Sequence, residues 1–232
     1  MLPYAAFLRR FGRLTMGIKQ IILNALFPDK VVCCSCGREA VVSESGLCRD
    51  CGMGLEMFNS APPIENIEGY TAAYIYNDVS GSMVKRLKYN NARYIAKILA
   101  DAVKIPEEWD VDVVVPIPLH YKRHAKRGYN QSELIAKHIA ARLGLKLDTT
   151  MVVRRMNTKQ QAKLTETGRK RNLKDAFIAD DRCGGISILL VDDVRTTGAT
   201  LSECARALKN CGCRSVYAAT VCFAKYEKGG SV

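Results

Sequence analysis

Two adjacent carboxylates, Asp192 and Asp193, close an apolar run, Ile186-Ser187-Ile188-Leu189-Leu190-Val191. Val194-Arg195-Thr196-Thr197-Gly198-Ala199-Thr200 follows at once, with three hydroxyls and one glycine. Paired carboxylates suit vicinal hydroxyls or a divalent cation, and they repel phosphate. The segment after them has the opposite taste. Threonine hydroxyls donate hydrogen bonds, glycine lets the backbone come close to a ligand, and a helix beginning near Thr200 offers unpaired N–H groups to an anion. A ligand that satisfies both ends carries a diol near a phosphate, which describes a sugar phosphate. Asp192 and Asp193 are therefore the candidate catalytic pair. Thr196, Thr197, Gly198, Ala199 and Thr200 are the candidate phosphate seat.

A second constellation lies near the N-terminus. Cys33-x2-Cys36 is followed after eleven residues by Cys48-x2-Cys51. Two such knuckles bring four thiolates around one tetrahedral ion, so Cys33, Cys36, Cys48 and Cys51 read as a structural Zn²⁺ site with no open position for catalysis. A lone Cys-x2-Cys would allow a redox pair; two argue against it. Cys34 reads as a bystander, because Cys34-x-Cys36 is poor knuckle geometry. A ribbon this small has little core, so the ion would supply most of its folding energy, ~10–16 kcal/mol.

The charge is placed unevenly. The net charge is +12, and residues 120–174 hold 15 Lys/Arg against 3 Asp/Glu, with all three histidines. The rest of the chain is balanced. Such a block attracts polyanions, either a pyrophosphate or a nucleic acid. Lys122, Arg123 and Arg127 directly follow Pro116-Ile117-Pro118-Leu119-His120 and are the candidates for a pyrophosphate. Lys85 and Lys88 read as a solvated helix face.

The elements that must hold these residues are legible in outline. Residues 186–191, an almost unbroken apolar run, and 111–115 read as strands of the kind buried on both faces of a parallel sheet. Residues 70–76 and 215–223 read as further strands. Residues 79–89 and 92–103 have helical spacing. Asn130 caps a helix carrying Leu134, Ile135, Ile139 and Leu143. Residues 116–131 read as a stiff loop at the carboxyl end of a strand, where α/β sheets bind ligands. The expected fold is α/β, a mostly parallel twisted sheet with helices on both faces, preceded by a small zinc ribbon. The expected divisions are a basic amphipathic helix over 1–28, the ribbon over 29–58, a linker over 59–68 and the main domain over 69–226. The helix packs on the body or, in a second reading, touches a membrane surface or a partner. No run approaches the ~20 apolar residues that span a bilayer. With no secretory signal and no disulfide framework, the expected compartment is the cytoplasm.

The stretch 186–200 resembles the signature of type I phosphoribosyltransferases. That resemblance implies phosphoribosyl pyrophosphate (PRPP) bound with Mg²⁺, its ribose hydroxyls on Asp192 and Asp193 and its 5-phosphate on the turn. The proline loop leading to Arg127-Gly128-Tyr129-Asn130-Gln131, together with the double Cys-x2-Cys ribbon, looks like the ComF competence-protein family. Thr158, Gln161, Leu164, Arg169, Arg171, Asn172 and Ala176-Phe177 sit at that family's offsets, while Gly168 and Lys159 depart from its usual acid and proline. The family is associated with handling incoming single-stranded DNA in natural transformation. Two functions follow from the resemblance. One is a pyrophosphate-releasing transferase in DNA uptake. The other is a PRPP- or nucleotide-sensing adaptor that binds single-stranded DNA and a DNA-uptake ATPase. Residues 154–174 would then be a lid over the pyrophosphate or part of a nucleic-acid groove.

Overall fold

The computed structural model describes residues 32–155 and 176–225. The helix expected over 1–28 and most of the segment 154–174 lie outside these residues.

Five parallel strands form the central sheet in the order β1-β7-β6-β2-β3. They are β1 (Gly69–Ile75), β2 (Val113–Pro116), β3 (Lys146–Leu147), β6 (Ser187–Arg195) and β7 (Ser215–Phe223). A separate antiparallel pair is made by β4 (Val152–Arg154) and β5 (Phe177–Ala179). The helices are α1 (Arg49–Met53), α2 (Asp78–Tyr89), α3 (Ile95–Ala102), α4 (Tyr121–Arg127), α5 (Gln131–Leu143) and α6 (Ala199–Asn210).

Strand alternation sorts the core into two layers. Leu189, Val191, Ala219 and Val221 face Met83, Leu87, Ile95, Leu99, Ile135 and Ile139 of α2, α3 and α5. Ile188, Leu190, Val216 and Ala218 face Leu201, Ala205 and Leu208 of α6, with Met151, Val152 and Phe177 from the antiparallel pair. Residues 188–191 are apolar without a break because β6 lies between these layers, paired to both β2 and β7. A chain this size can fill two such layers.

The ribbon is not a separate bead. Cys33, Cys34, Leu47 and Cys48 are buried in the same cluster as Met83, Leu87, Ile95 and Leu99. Cys34 packs beside Ile98; a side chain on Gly46 would strike both. The segment after the ribbon runs beside β1, with Phe58 N–H donating to Ala73 O at 3.0 Å and Ile75 N–H to Glu56 O at 2.9 Å. Residues 59–68, expected as a linker, place Ile64 in the core beside α6.

Two boundaries differ from the sequence reading. The loop expected over 116–131 contains α4, which His120 caps through Nδ1 and Gly128 ends at φ +76°. Its run of alanine, lysine and arginine favours helix between those stops. Strand β6 also runs on past the carboxylates to Arg195. It can do so because β7 continues beside it, pairing Val194 with Cys222 and Arg195 with Phe223.

Candidate functional site

That one-sided continuation creates the site. Pairing between β2 and β6 stops at Pro116 and Val191. Ile117 N–H still donates to Val191 O at 2.9 Å, but Pro118 has no N–H to continue the ladder, and β6 loses its neighbour on that side. The chain order reverses at this point too: β3 lies on one side of β2 and β6 on the other. A crevice at the carboxyl ends of strands at such a switch point is where open α/β sheets bind ligands. A cavity of about 770 Å³ lies there. It collects residues that follow all four long strands: Tyr76 after β1, Ile117 and Leu119 after β2, Thr196 after β6, Ala224 after β7.

Asp192 and Asp193 both line the cavity. Asp192 Oδ1 accepts from Ser132 Oγ at 2.7 Å and from Asp193 N–H at 2.9 Å. Ser132 reaches it because Asn130 caps α5, its Oδ1 accepting from Ser132 N–H and its Nδ2 donating to Ile117 O. The cap therefore ties the loop after β2 to the helix turn that holds Asp192. Asp193 is almost fully buried and its Oδ2 lies 2.8 Å from Lys88 Nζ. That oxygen has the ion pair but no aligned hydrogen bond. Burial, and then the neighbouring charge of Asp193, push the Asp192 carboxyl up to about 7, against the pull of Ser132 and Lys88. Two carboxylates in one cleft resist ionising together.

The phosphate seat is less uniform. Thr196 and Thr200 line the cavity, whereas Thr197, Gly198 and Ala199 form the turn behind them. Thr197 Oγ1 accepts from Ala199 N–H at 3.3 Å. Gly198 sits at φ +83°, and a Cβ there would approach Arg195 Nε and Ile64 Cγ1 at 3.3 Å each. The positive φ favours glycine, and the space for a side chain there is tight.

Of the expected pyrophosphate residues, Arg123 and Arg127 line the cavity and Lys122 does not. Arg127 is held from two sides, bonding to Gln131 Oε1 and lying 5.2 Å over the Tyr89 ring. Lys122 stands 6.0 Å from the Tyr121 ring. Arg154 joins the lining from β4, its guanidinium 5.4 Å from the Phe177 ring. Burial and the nearby charge of Arg123 lower its pKa, with Asp192 opposing. His120 is lowered by burial and by Arg154, Arg123 and Lys122, so it is neutral at pH 7 and serves as a cap.

Sequence reasoning passed over Ser132 and took Lys88 for a solvated residue. Lys88 lies at the end of α2, where helical spacing alone turns it outward; only the packing of α2 on β6 brings it to Asp193. Tyr129 of the Arg127-Gly128-Tyr129-Asn130-Gln131 motif is buried and donates to Leu87 O. Tyr89, which lines the cavity, and Tyr121, the first residue of α4, are exposed instead.

At the ribbon, the sulfurs of Cys33, Cys36, Cys48 and Cys51 lie within 4.8 Å of one another. Cys36 and Cys48 are 3.9 Å apart. Thiolates at ~2.3 Å from a shared tetrahedral ion stand ~3.8 Å apart, so the donor set could hold zinc. Cys34 is outside the cluster. Among the described residues no helix is long and apolar enough to cross a membrane.

A parallel sheet, a switch-point cavity, paired acids and a threonine-glycine turn define a phosphoribosyltransferase-type domain. The chain belongs to that family: the phosphoribosyl transferase domain matches residues 84–230. Within it the chain belongs with the ComF competence proteins. It is 30% identical over 212 residues to the DNA utilization protein YhgH of Salmonella typhimurium, covering 82% of this chain and 89% of that protein. It is 29% identical to the competence protein ComFC of Bacillus subtilis, covering 76% of this chain and 71% of that protein. Among solved structures, adenine phosphoribosyltransferase from Thermoanaerobacter pseudethanolicus is similar with a TM-score of 0.36 and 18% identity, covering 62% of this chain and 86% of that one.

Proposed function

We propose that the protein binds PRPP in the cavity and acts on incoming DNA or its nucleotides during DNA uptake. The observation that carries the first part is a juxtaposition. Asp192, Asp193, Thr196, Thr200, Arg123, Arg127 and Arg154 line one hollow, which offers carboxylates, hydroxyls and cations to a single ligand. Asp192 and Asp193 accept hydrogen bonds from the ribose hydroxyls. The turn at 196–200 holds the 5-phosphate with threonine hydroxyls and helix amides. Arg123 and Arg127, with Arg154 and the more distant Lys122, meet the pyrophosphate. The carboxylates are hard oxygen donors of the kind Mg²⁺ prefers. Mg²⁺ bound with PRPP supplies charge neutralisation to the leaving group. In transfer, the bond from C1 to the pyrophosphate oxygen breaks while an acceptor nucleophile attacks C1. The protein's part is positioning, and stabilising the departing charge. The names of the relatives, competence and DNA utilization proteins, supply the DNA-uptake setting. The four cysteines hold a structural zinc ion that fixes the ribbon.

The test is a PRPP titration with Mg²⁺ of wild type and of Asp192→Ala/Asp193→Ala. Binding by wild type and its loss in the double variant support the reading; equal affinity refutes it. Release of pyrophosphate in the presence of a panel of bases and single-stranded DNA then identifies an acceptor.

A second reading is a PRPP-sensing adaptor for single-stranded DNA, with the ribbon docking a partner ATPase. Tyr89 and Tyr121 favour it: both are exposed, both lie against cations, and bases stack on such rings. Its DNA affinity falls steeply with salt if several phosphates are contacted. A flat salt response refutes it.

A further inference from the structure

Arg195, the last residue of β6, is 4% exposed although it carries a guanidinium. Its Nη2 donates to Pro62 O at 2.6 Å. Nε and Nη1 are buried with no hydrogen-bond partner. Among the described residues no carboxylate pairs with it. Its charge meets ring faces instead, with Cζ 4.3 Å from the Tyr70 centroid and 5.2 Å from that of Phe223. Ring faces and one carbonyl ease the burial of a cation but provide no counter-charge.

The position of this charge is specific. A Cβ on Gly198 would lie 3.3 Å from Arg195 Nε, so the guanidinium sits directly behind the turn. The front of the same turn faces the cavity through Thr196 and Thr200. A buried cation without a counter-ion is costly in isolation. It becomes favourable when an anion arrives on the far side of one layer of backbone, where little water screens the pair.

We propose that Arg195 is a positioning residue for a phosphate dianion held at the 196–200 turn, acting as its buried counter-charge without touching it. The proposal rests on reading that turn as a phosphate seat. The ligand class is a phosphomonoester, such as the 5-phosphate of a ribose phosphate, as distinct from the pyrophosphate expected at Arg123 and Arg127. Arg195 also fixes the turn from behind, since it bonds Pro62 O while Ile64 packs 3.3 Å from the Gly198 Cβ position.

Ribose 5-phosphate and inorganic pyrophosphate are titrated separately into wild type, Arg195→Met and Arg195→Lys, and each protein's Tm is measured. Arg195→Met weakens ribose 5-phosphate at least about tenfold, as expected for losing a charge at short range in a poorly screened site. It leaves pyrophosphate within about twofold and does not lower Tm, because burying a charge with no counter-charge costs more than one carbonyl bond and two ring faces return. Arg195→Lys keeps ribose 5-phosphate affinity within about threefold of wild type, because the charge is retained. Should Arg195→Met fail to fold, Arg195→Gln against Arg195→Lys carries the same comparison. If wild type binds ribose 5-phosphate and the neutral variant binds it equally, the role of Arg195 is refuted and the phosphate seat stands. Equal losses for both ligands, or a lower Tm with unchanged affinities, refute it as well. No binding of ribose 5-phosphate by wild type removes the seat and this inference together.

Discussion

Lys88 Nζ stands 2.8 Å from Asp193 Oδ2, joining the end of α2 to the site strand β6. Both groups are largely withdrawn from water, with side-chain exposures of 21% and 6%. Removing one partner of such a pair leaves the other as an uncompensated buried charge. Lys88→Met should therefore destabilise the fold by about 2–4 kcal/mol, somewhat less than a fully buried pair would lose. Adding Asp193→Asn should recover much of that loss. Urea unfolding of the two single variants and the double variant reads the coupling. Additive losses would show that the contact carries no interaction energy.

The acid pair also sets a pH dependence. Asp192 is raised from 3.8 to about 7 in the folded protein, by burial first and then by Asp193. The sign follows from proton uptake. Between about pH 4 and 7 the folded state holds a proton that the unfolded state has released, so stability falls as pH rises through that window. The stabilising contribution is complete below the unfolded value and gone above the folded one. Ligand binding runs the other way, because ribose hydroxyls with Mg²⁺ prefer ionised carboxylates. PRPP affinity should rise between pH 6 and 8, and Asp192→Asn should flatten that rise. A wild-type affinity that is constant across the window contradicts the assignment.

Much of this was readable before any coordinates. The apolar run at 186–191 announced a strand buried on both faces, and the two core layers account for it. The Cys-x2-Cys spacings named the same four sulfurs that cluster. What the sequence could not show were contacts made by packing. Ser132 meets Asp192 across 60 positions of chain, and Lys88 meets Asp193 across 105; neither pair leaves a local pattern. Arg195 reads as one more turn residue until the aromatic rings of Tyr70 and Phe223 close over it. The loop at 116–131 concealed α4 because two prolines and a glycine bracket a segment only seven residues long.

Gly198 gives a sharper local test. Its φ of +83° lies where a side chain is strained, and a Cβ would press on Arg195 Nε and Ile64. Gly198→Ala should cost about 1–2 kcal/mol of stability from backbone strain. It should also weaken PRPP by roughly tenfold, since small misplacements of a positioning element are costly. Inorganic pyrophosphate should be little affected, because Arg123 and Arg127 are not part of the turn. Calorimetric titration with both ligands checks the pair of effects; equal weakening would place the disturbance elsewhere.

The zinc ribbon should govern the stability of the whole body, because it shares a core with it. Cys33, Cys34, Leu47 and Cys48 pack in one cluster with Met83, Leu87, Ile95 and Leu99. Gly37 adds a second contact, lying close against the Arg86 guanidinium of α2. Losing the ion frees the two knuckles and uncovers that face of α2 and α3. α2 carries Lys88 at its end, so the disturbance reaches Asp193. Cys48→Ser, or removal of metal by a strong chelator, should lower Tm by at least about 10 °C in a single shared transition. Metal analysis should find one zinc per wild-type chain. PRPP affinity should fall in the metal-free protein although no cysteine lines the cavity. Two separate transitions, with the upper one at the wild-type temperature, would mean that the ribbon folds beside the body without supporting it.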